Sequence, residues 1–430
     1  MTKGIASSLS LFSLYLLSLT VVLSTAAVNI ALFTIVFSAV LAWPSMWYDF
    51  RRNSLFWLTL ALTLYTITHS LISVYYHPSL AESSNPHWSH IARVTGILSL
   101  FIGWWIAYHR RHVPYLLMTL LAGLAIGLFA GIDLSALLNG SAVHRGTWGT
   151  PTNEVGYLSA VGFVGCFIGI TQVILFGSKR LSTLALIIGL TATLFFFTVL
   201  LGSGTRGAWL AATIVLVSYI ALLFIRLNKH HPRHTKRYAL VTVFLMTALV
   251  PILYASSSSL ENRLDSTWKI AKGVSEFDVK DINAADPSSG ARIMMWQEGI
   301  KAIADRPLRG WGLGGKHLVA EQDGSNLKNH PHFHNLYIEI AVGLGLPGFI
   351  LFILVYGKTI VTFMKKEKTN YEDFTPALLS ATLALSLLVM FFELRVGQTP
   401  GRTFFILLIG YLISFQFLGR NSSRPEPDQD

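Results

Sequence analysis

Twelve runs of apolar residues, most of them near the roughly 20 residues that a helix needs to cross about 30 Å of hydrocarbon, divide the chain. Their limits are 5–24, 27–43, 54–76, 92–108, 114–132, 155–177, 183–201, 207–225, 238–256, 336–364, 374–392 and 403–419. The second and fourth are short, and the tenth is long enough to begin outside the bilayer or to run partly along its surface. The first has the look of a signal peptide, with Lys3 ahead of a run ending in LSTAA, but the next apolar segment starts almost at once and favours a retained helix.

One connector is far longer than the others. Residues 257–335 carry ten Lys/Arg and ten Asp/Glu, and a loop of that length is functional or disordered. Its first half is polar. In its second half Ile293, Trp296, Ile300 and Ile303 recur at helical spacing, Ser289 stands where an N-cap belongs, and Pro307 with the following glycines stops the helix. The pattern predicts an amphipathic helix lying on a membrane surface, with Trp296 and Trp311 as interfacial anchors. The chain therefore divides into residues 1–256 with nine spans, the loop 257–335, residues 336–419 with three more spans, and a short tail over 420–430.

Composition agrees with the pattern. Hydrophobic residues make up 52% of the 430, charged residues 13%, and the mean hydropathy is +0.53, too little polar surface for a soluble globule. The expected fold class is an all-α polytopic membrane protein. Cys166 is the single cysteine, which excludes an intrachain disulfide and a metal–thiolate cluster.

Basic residues are spread unevenly between the two sides. Lys3, Arg51, Arg52, Arg110, Arg111, Lys179, Arg180, the RLNKHHPRHTKR loop, Lys365, Lys366, Lys368, Arg420 and Arg424 all fall on one side of the twelve-span arrangement. The other side's short loops hold only Arg93, Arg145, Arg206, Arg395 and Arg402. By the positive-inside bias both termini are cytoplasmic and the long loop is external. The net charge of +11 is then a topological signal that meets anionic membrane lipids, and nucleic acid is not an expected partner.

Against that frame the ionisable residues at the outer face stand out, because charges at membrane depth are costly and mark function. Arg206 in LLGSGTRGAWLAA either snorkels to the outer headgroups or binds an anion, helped by small residues and a helix start. Arg292, read as lying in the first turn of the surface helix, opposes the helix dipole and suits an external anion better than helix stability; the alternative is an ordinary solvated arginine. Two arginines can clamp a pyrophosphate by forked hydrogen bonds. His330, His332 and His334 alternate in HPHFHN and invite a metal reading, but no cysteine or acidic residue in the pattern completes a ligand set. His334 differs in standing directly before Asn335 and the tenth span, and a neutral imidazole can take a proton near neutral pH. The cytoplasmic-side His109, His112, His230, His231 and His234 lie among Lys and Arg and read as lipid-phosphate contacts.

His334-Asn335, nine residues, then Gly345, two residues, then Gly348 resembles the H[NSQ]-x9-G-x-x-G signature of bacterial O-antigen ligases. RIMMWQEGIKAIADRPLRGWGLG and SGTRGAWLA are similar to two further stretches of the wider family, which also holds O-antigen polymerases and protein O-oligosaccharyltransferases. The resemblance implies a GT-C-like, metal-independent, inverting glycosyltransferase of the bacterial inner membrane, needing no cofactor, with its active site periplasmic. Its donor would be a glycan on undecaprenyl pyrophosphate and its acceptor lipid A–core. His334 would be the general base, with Arg206 and Arg292 on the pyrophosphate. His332, Asn335, Tyr337, Arg395 and Arg402 are secondary candidates, and Tyr337 or Glu339 can orient the histidine. Glycoside hydrolysis would need paired carboxylates, and the sequence shows no clear pair. A polymerase is the main rival; the single large loop and the spacing after the histidine are ligase-like. A protein oligosaccharyltransferase often carries a longer C-terminal portion. A lipid-linked-glycan flippase would need charges spread through the bundle rather than crowded at one face.

Overall fold

The computed structural model describes residues 2–78, 80, 95–131, 152–176, 182–230, 232–255, 287–321, 332–367, 374–393 and 399–417. Among these residues the secondary structure is helical throughout. The protein is an all-α, multi-pass membrane protein. In chain order the helices are α1 (Thr2–Thr20), α2 (Thr25–Leu41), α3 (Trp43–Phe50), α4 (Ser54–Tyr76), α5 (Ile97–Tyr108), α6 (Val113–Ala130), α7 (Thr152–Phe176), α8 (Ser182–Ser203), α9 (Arg206–His230), α10 (Pro232–Ala255), α11 (Pro287–Asp305), α12 (Lys316–Ala320), α13 (Leu336–Glu367), α14 (Phe374–Phe392) and α15 (Thr399–Phe417).

Each of the twelve apolar runs coincides with a helix. Among the described residues, eight helices are long and apolar enough to cross a membrane, or nine if the bent pair α2–α3 is one span. That pair turns by 85°, where Pro44 begins a new helix and cannot supply the N–H that would continue the old one. The 12 residues of α5 make it shorter than a span. Side-chain caps fix two of the starts: Ser24 accepts from the Ala27 N–H and Asn53 from the Leu55 N–H.

Packing relies on small residues where helices cross. A Cβ at Gly103 of α5 would come within 2.8 Å of the Gly410 carbonyl of α15, so the two backbones touch, as small residues allow in membranes. With α7, α15 is the most deeply enclosed of the spans. Two of the five histidines read as lipid-phosphate contacts, His109 and His112, depart from that expectation. His109 is buried, bonds Ser10 at 3.0 Å and stacks on Trp105, while His112 bonds Tyr15. Burial, with His112 nearby, pushes the His109 imidazole down to about 4, so it is neutral and cannot serve lipid phosphate as a cation.

The break in α13 explains the spacing of the glycine motif. Gly345 adopts φ 66, ψ 178 inside the helix, and Pro347 follows it; the left-handed φ is open to glycine at little steric cost. The break frees backbone groups, and the PLRGWGLGG segment satisfies them. Trp311 N–H donates to Val342 O at 2.8 Å, Gly312 N–H to Gly343 O at 3.0 Å, and Leu346 N–H to Pro307 O at 2.8 Å. The Tyr65 hydroxyl takes Leu344 O. Gly310 is also left-handed, and a Cβ there would lie 2.5 Å from Gly345 N. Residues 336–344 thus form a strut of about 13 Å at 1.5 Å per residue, with the histidine turn at one end and the pinned break at the other.

Gly345→Ala is expected to lower stability by roughly 1–3 kcal/mol from backbone strain, and more from the 2.5 Å approach of its Cβ to Leu308 O. Thermal unfolding of the purified protein checks this against Gly357→Ala, where a Cβ meets nothing within 4 Å. Equal unfolding temperatures would remove the pinned-break account.

Helix α11 begins at Pro287, two residues before the expected cap, so Ser289 lies inside it and Arg292 is beyond the first turn. The dipole argument for Arg292 therefore falls away. The packed face also differs from the expected stripe: Ile300 is 61% exposed, and Met295 and Ala302 are buried against Phe333, Trp311 and Val342. Trp311 is a core residue rather than an interfacial anchor. Its indole N–H donates to Ala302 O at 2.8 Å and Arg306 lies over its ring. Trp296 rests edge-on against Phe391. Residues 256–286, including the polar half of the loop, and the 420–430 tail lie outside the described residues.

Candidate active site

At one end of the bundle the starts of α7 and α9, the end of α14 and the helix α11 border an open cleft, lined by residues that include Asn153, Thr205, Arg206, Ser288, Arg292 and Glu393. Arg206 is the first residue of α9, placed there because Gly204 turns the chain with φ 61 and the Ser203 hydroxyl accepts the Thr205 N–H. Arg292 reaches the same cleft from α11. The two arginines singled out in the sequence, 86 positions apart by their numbers, line one cavity.

His334 joins them through a residue that the sequence reading did not single out. Its Nδ1 lies 2.5 Å from Glu393 Oε1. A carboxylate only accepts, so Nδ1 carries the proton and Nε2 is left as the basic nitrogen. The other oxygen, Oε2, accepts from Arg292 Nη2 at 3.1 Å and from Asn153 Nδ2 at 3.0 Å. Glu393 is 5% exposed, so its charge is shared among three donors instead of water. One carboxylate thus fixes the imidazole and tethers the arginine. The available signal was a charged residue at the end of the apolar run 374–392, the costly placement already used for the arginines.

The secondary candidates separate. His332 packs on His334 with ring centroids 4.1 Å apart, and its Nδ1 accepts the His334 N–H at 3.2 Å. Asn335 is buried and caps α13, its Oδ1 accepting from the Tyr337 and Ile338 N–H groups at 2.9 and 3.1 Å. Tyr337 bonds Leu387 O on α14. Arg402 bonds Thr399, and neither residue is among those lining the cleft. The direct contact to the imidazole comes from Glu393, and the Tyr337 hydroxyl is turned to Leu387 O instead. His330 and Arg395 lie outside the described residues.

The metal reading changes as well. Glu393 supplies the acidic ligand that the sequence pattern lacked: His332, His334 and Glu393 each offer a ligand atom within 4.8 Å of the others. Two ligands each about 2.0–2.2 Å from one tetrahedral zinc are separated by more than 3 Å. The His334–Glu393 contact is shorter and holds a proton, and the two guanidiniums in the cleft oppose a further cation.

Residues 191–353, which carry Arg206, Arg292 and His334, match the O-antigen ligase family model. Over that stretch, which is less than half of the chain, the sequence is similar to the O-antigen ligase family. It is 28% identical over 176 residues to an uncharacterized protein of Haemophilus influenzae, a stretch covering 39% of this chain and 41% of that protein. It is also 28% identical over 112 residues to a Rickettsia conorii protein provisionally named a polysaccharide ligase, covering 24% and 27%. The matched stretches thus span less than half the length of either relative. Glu393 and Asn153 both fall outside the matched family region, so the ligase-family segment is completed by helices that flank it.

Proposed function

We propose that this protein acts as an O-antigen ligase, transferring a glycan from undecaprenyl pyrophosphate to a lipid A–core acceptor at the periplasmic face of the bacterial inner membrane. The observation that carries the reading is a cleft lined by Arg206, Arg292 and Glu393, whose carboxylate also holds the imidazole of His334. An acceptor hydroxyl attacks the anomeric carbon and passes its proton to His334 Nε2. The bond between that carbon and the phosphate oxygen breaks, and its electron pair leaves with the pyrophosphate, toward which Arg206 and Arg292 direct positive charge. One displacement inverts the anomeric carbon, as in a GT-C-like inverting enzyme.

Further support lies in Arg292. Its Nη2 is engaged by Glu393, while its buried Nε–H has no acceptor among the described residues. A buried donor without a partner is costly, and a phosphate oxygen would relieve it. The arginines take the part of a divalent ion in this scheme, so the reaction is metal-independent and needs no cofactor. Transfer that is lost in chelator and regained with a divalent ion would instead favour the His332, His334, Glu393 cluster as a metal site.

Arg206→Ala and Arg292→Ala should each weaken use of the pyrophosphate donor by about 10- to 100-fold, the scale of a charge-assisted hydrogen bond. Donor titrations with purified protein measure it, and unchanged donor kinetics in both variants would discard the clamp. The acceptor is decided in cells, by lipopolysaccharide gels with a parallel assay of lipid-linked glycan from a deletion strain. Loss of O-antigen from lipid A–core while long lipid-linked polymer accumulates is the ligase outcome. Single-repeat lipopolysaccharide without long polymer is the polymerase outcome.

A further inference from the structure

His334 is the one non-glycine residue with positive φ among those described, at φ 53. For an imidazole-bearing residue that conformation is uncommon and has to be held by its surroundings. The holding contacts can be named. The Phe333 ring is fully buried among Met295, Trp311 and Val342. The His334 N–H goes to His332, and Asn335 caps the helix that follows. The remaining contact runs backwards from α13: Glu339 Oε2 accepts the Phe333 N–H at 3.0 Å.

That last bond is not an ordinary helix cap. Asn335 already serves the N–H groups of Tyr337 and Ile338, and Phe333 lies outside the helix, one residue before the strained one. Beside Glu339 lies a second anomaly. Lys316, at the start of α12, is only 3% exposed, and a lysine is almost never buried to that degree without a charge partner. Burial lowers the pKa of its ammonium and the charge of Glu339 raises it, so the two charges are close enough to interact. Lys316 follows directly on the PLRGWGLGG segment that pins the break in α13. Val319 of the same short helix shares a buried cluster with Phe333, so the histidine turn packs against this folded part of the large loop.

We propose that Glu339, backed by Lys316, is a positioning residue for His334: its carboxylate holds the Phe333 amide, and with it the turn that brings the imidazole to Glu393. This rests on the reading of His334 as general base. Glu339 touches no reacting atom in this role. Its removal should lower turnover without changing affinity for the donor.

The test uses the full-length protein in lipid nanodiscs, with undecaprenyl-pyrophosphate-linked glycan and lipid A–core. Glu339→Ala is expected to lower kcat about 10-fold, the scale of one net hydrogen bond, with donor KM within about twofold. Glu339→Gln combined with Lys316→Met keeps a carbonyl acceptor for Phe333 and removes both charges, and should recover most of kcat. If Glu339→Ala does not fold, the double variant decides. Intact kcat in Glu339→Ala, a loss confined to KM, or a folded double variant as slow as Glu339→Ala would each overturn the proposal. Failure of the underlying reading looks different: His334→Ala would itself turn over normally. A dead His334→Ala beside a fully active Glu339→Ala removes the positioning role alone.

Discussion

His334→Ala is expected to abolish glycan transfer, lowering turnover by about 10²–10⁴-fold, the range that a positioned general base contributes. The protein should still insert and fold. The His334 side chain is 19% exposed and lies beside Glu393, so its truncation leaves no large core cavity. The strained backbone supplies a built-in ambiguity, because alanine at φ 53 could disturb the turn as well as remove the base. His334→Asn separates the two effects. Asparagine tolerates the left-handed region better than most residues and has no basic nitrogen. Both variants inactive, with unfolding temperatures near the parent's, is the expected result. Activity restored in His334→Asn would make the histidine a conformational residue and end the general-base assignment.

Glu393→Ala should be nearly as damaging, for a different reason. Its carboxylate holds the proton on His334 Nδ1 and tethers Arg292 through the second oxygen, so one substitution frees the ring and the guanidinium together. Fixing the tautomer of a catalytic imidazole is worth orders of magnitude in rate, and a loss of about 10²–10⁴-fold in kcat is expected. Donor KM should rise too, unlike in His334→Ala, because Arg292 loses its anchor. The sharper measurement is the double variant. Groups that act as one unit are strongly non-additive, so His334→Ala with Glu393→Ala should be no slower than His334→Ala alone. Independent, multiplying losses would show that Glu393 does its work elsewhere.

The two expectations bear on each other through charge. Left alone, a buried carboxylate would repel the pyrophosphate donor proposed for this cleft. Arg292 beside it and Arg206 across the cleft reverse that sign. In the proposed reaction the same carboxylate holds the imidazole at one oxygen and Arg292 at the other. This differs from glycoside hydrolysis, where paired carboxylates flank the scissile bond.

The amino-acid sequence by itself determined the helices and the kind of protein. Runs such as 183–201 and 374–392 have no polar residue frequent enough to form anything else in hydrocarbon, where each backbone group has to be satisfied within its own segment. Arg206 and His334 stood out as candidates because a charged or titratable residue beside an apolar run is costly wherever it ends up, whereas Arg292 was singled out by a dipole argument that the earlier start of α11 removes. Only the tertiary structure decided how they work together. Glu393 is 59 positions from His334 and 101 from Arg292, and Asn153 is 240 from Glu393. Hydropathy gives each span a length but not its neighbours, since lipid tails and leucines are equally apolar and the pattern does not say which helix faces which. Trp311 shows the same limit on a smaller scale. An aromatic beside a membrane run reads as an interfacial anchor, yet a broken helix with unpaired carbonyls drew its segment inward, and the indole went into the core.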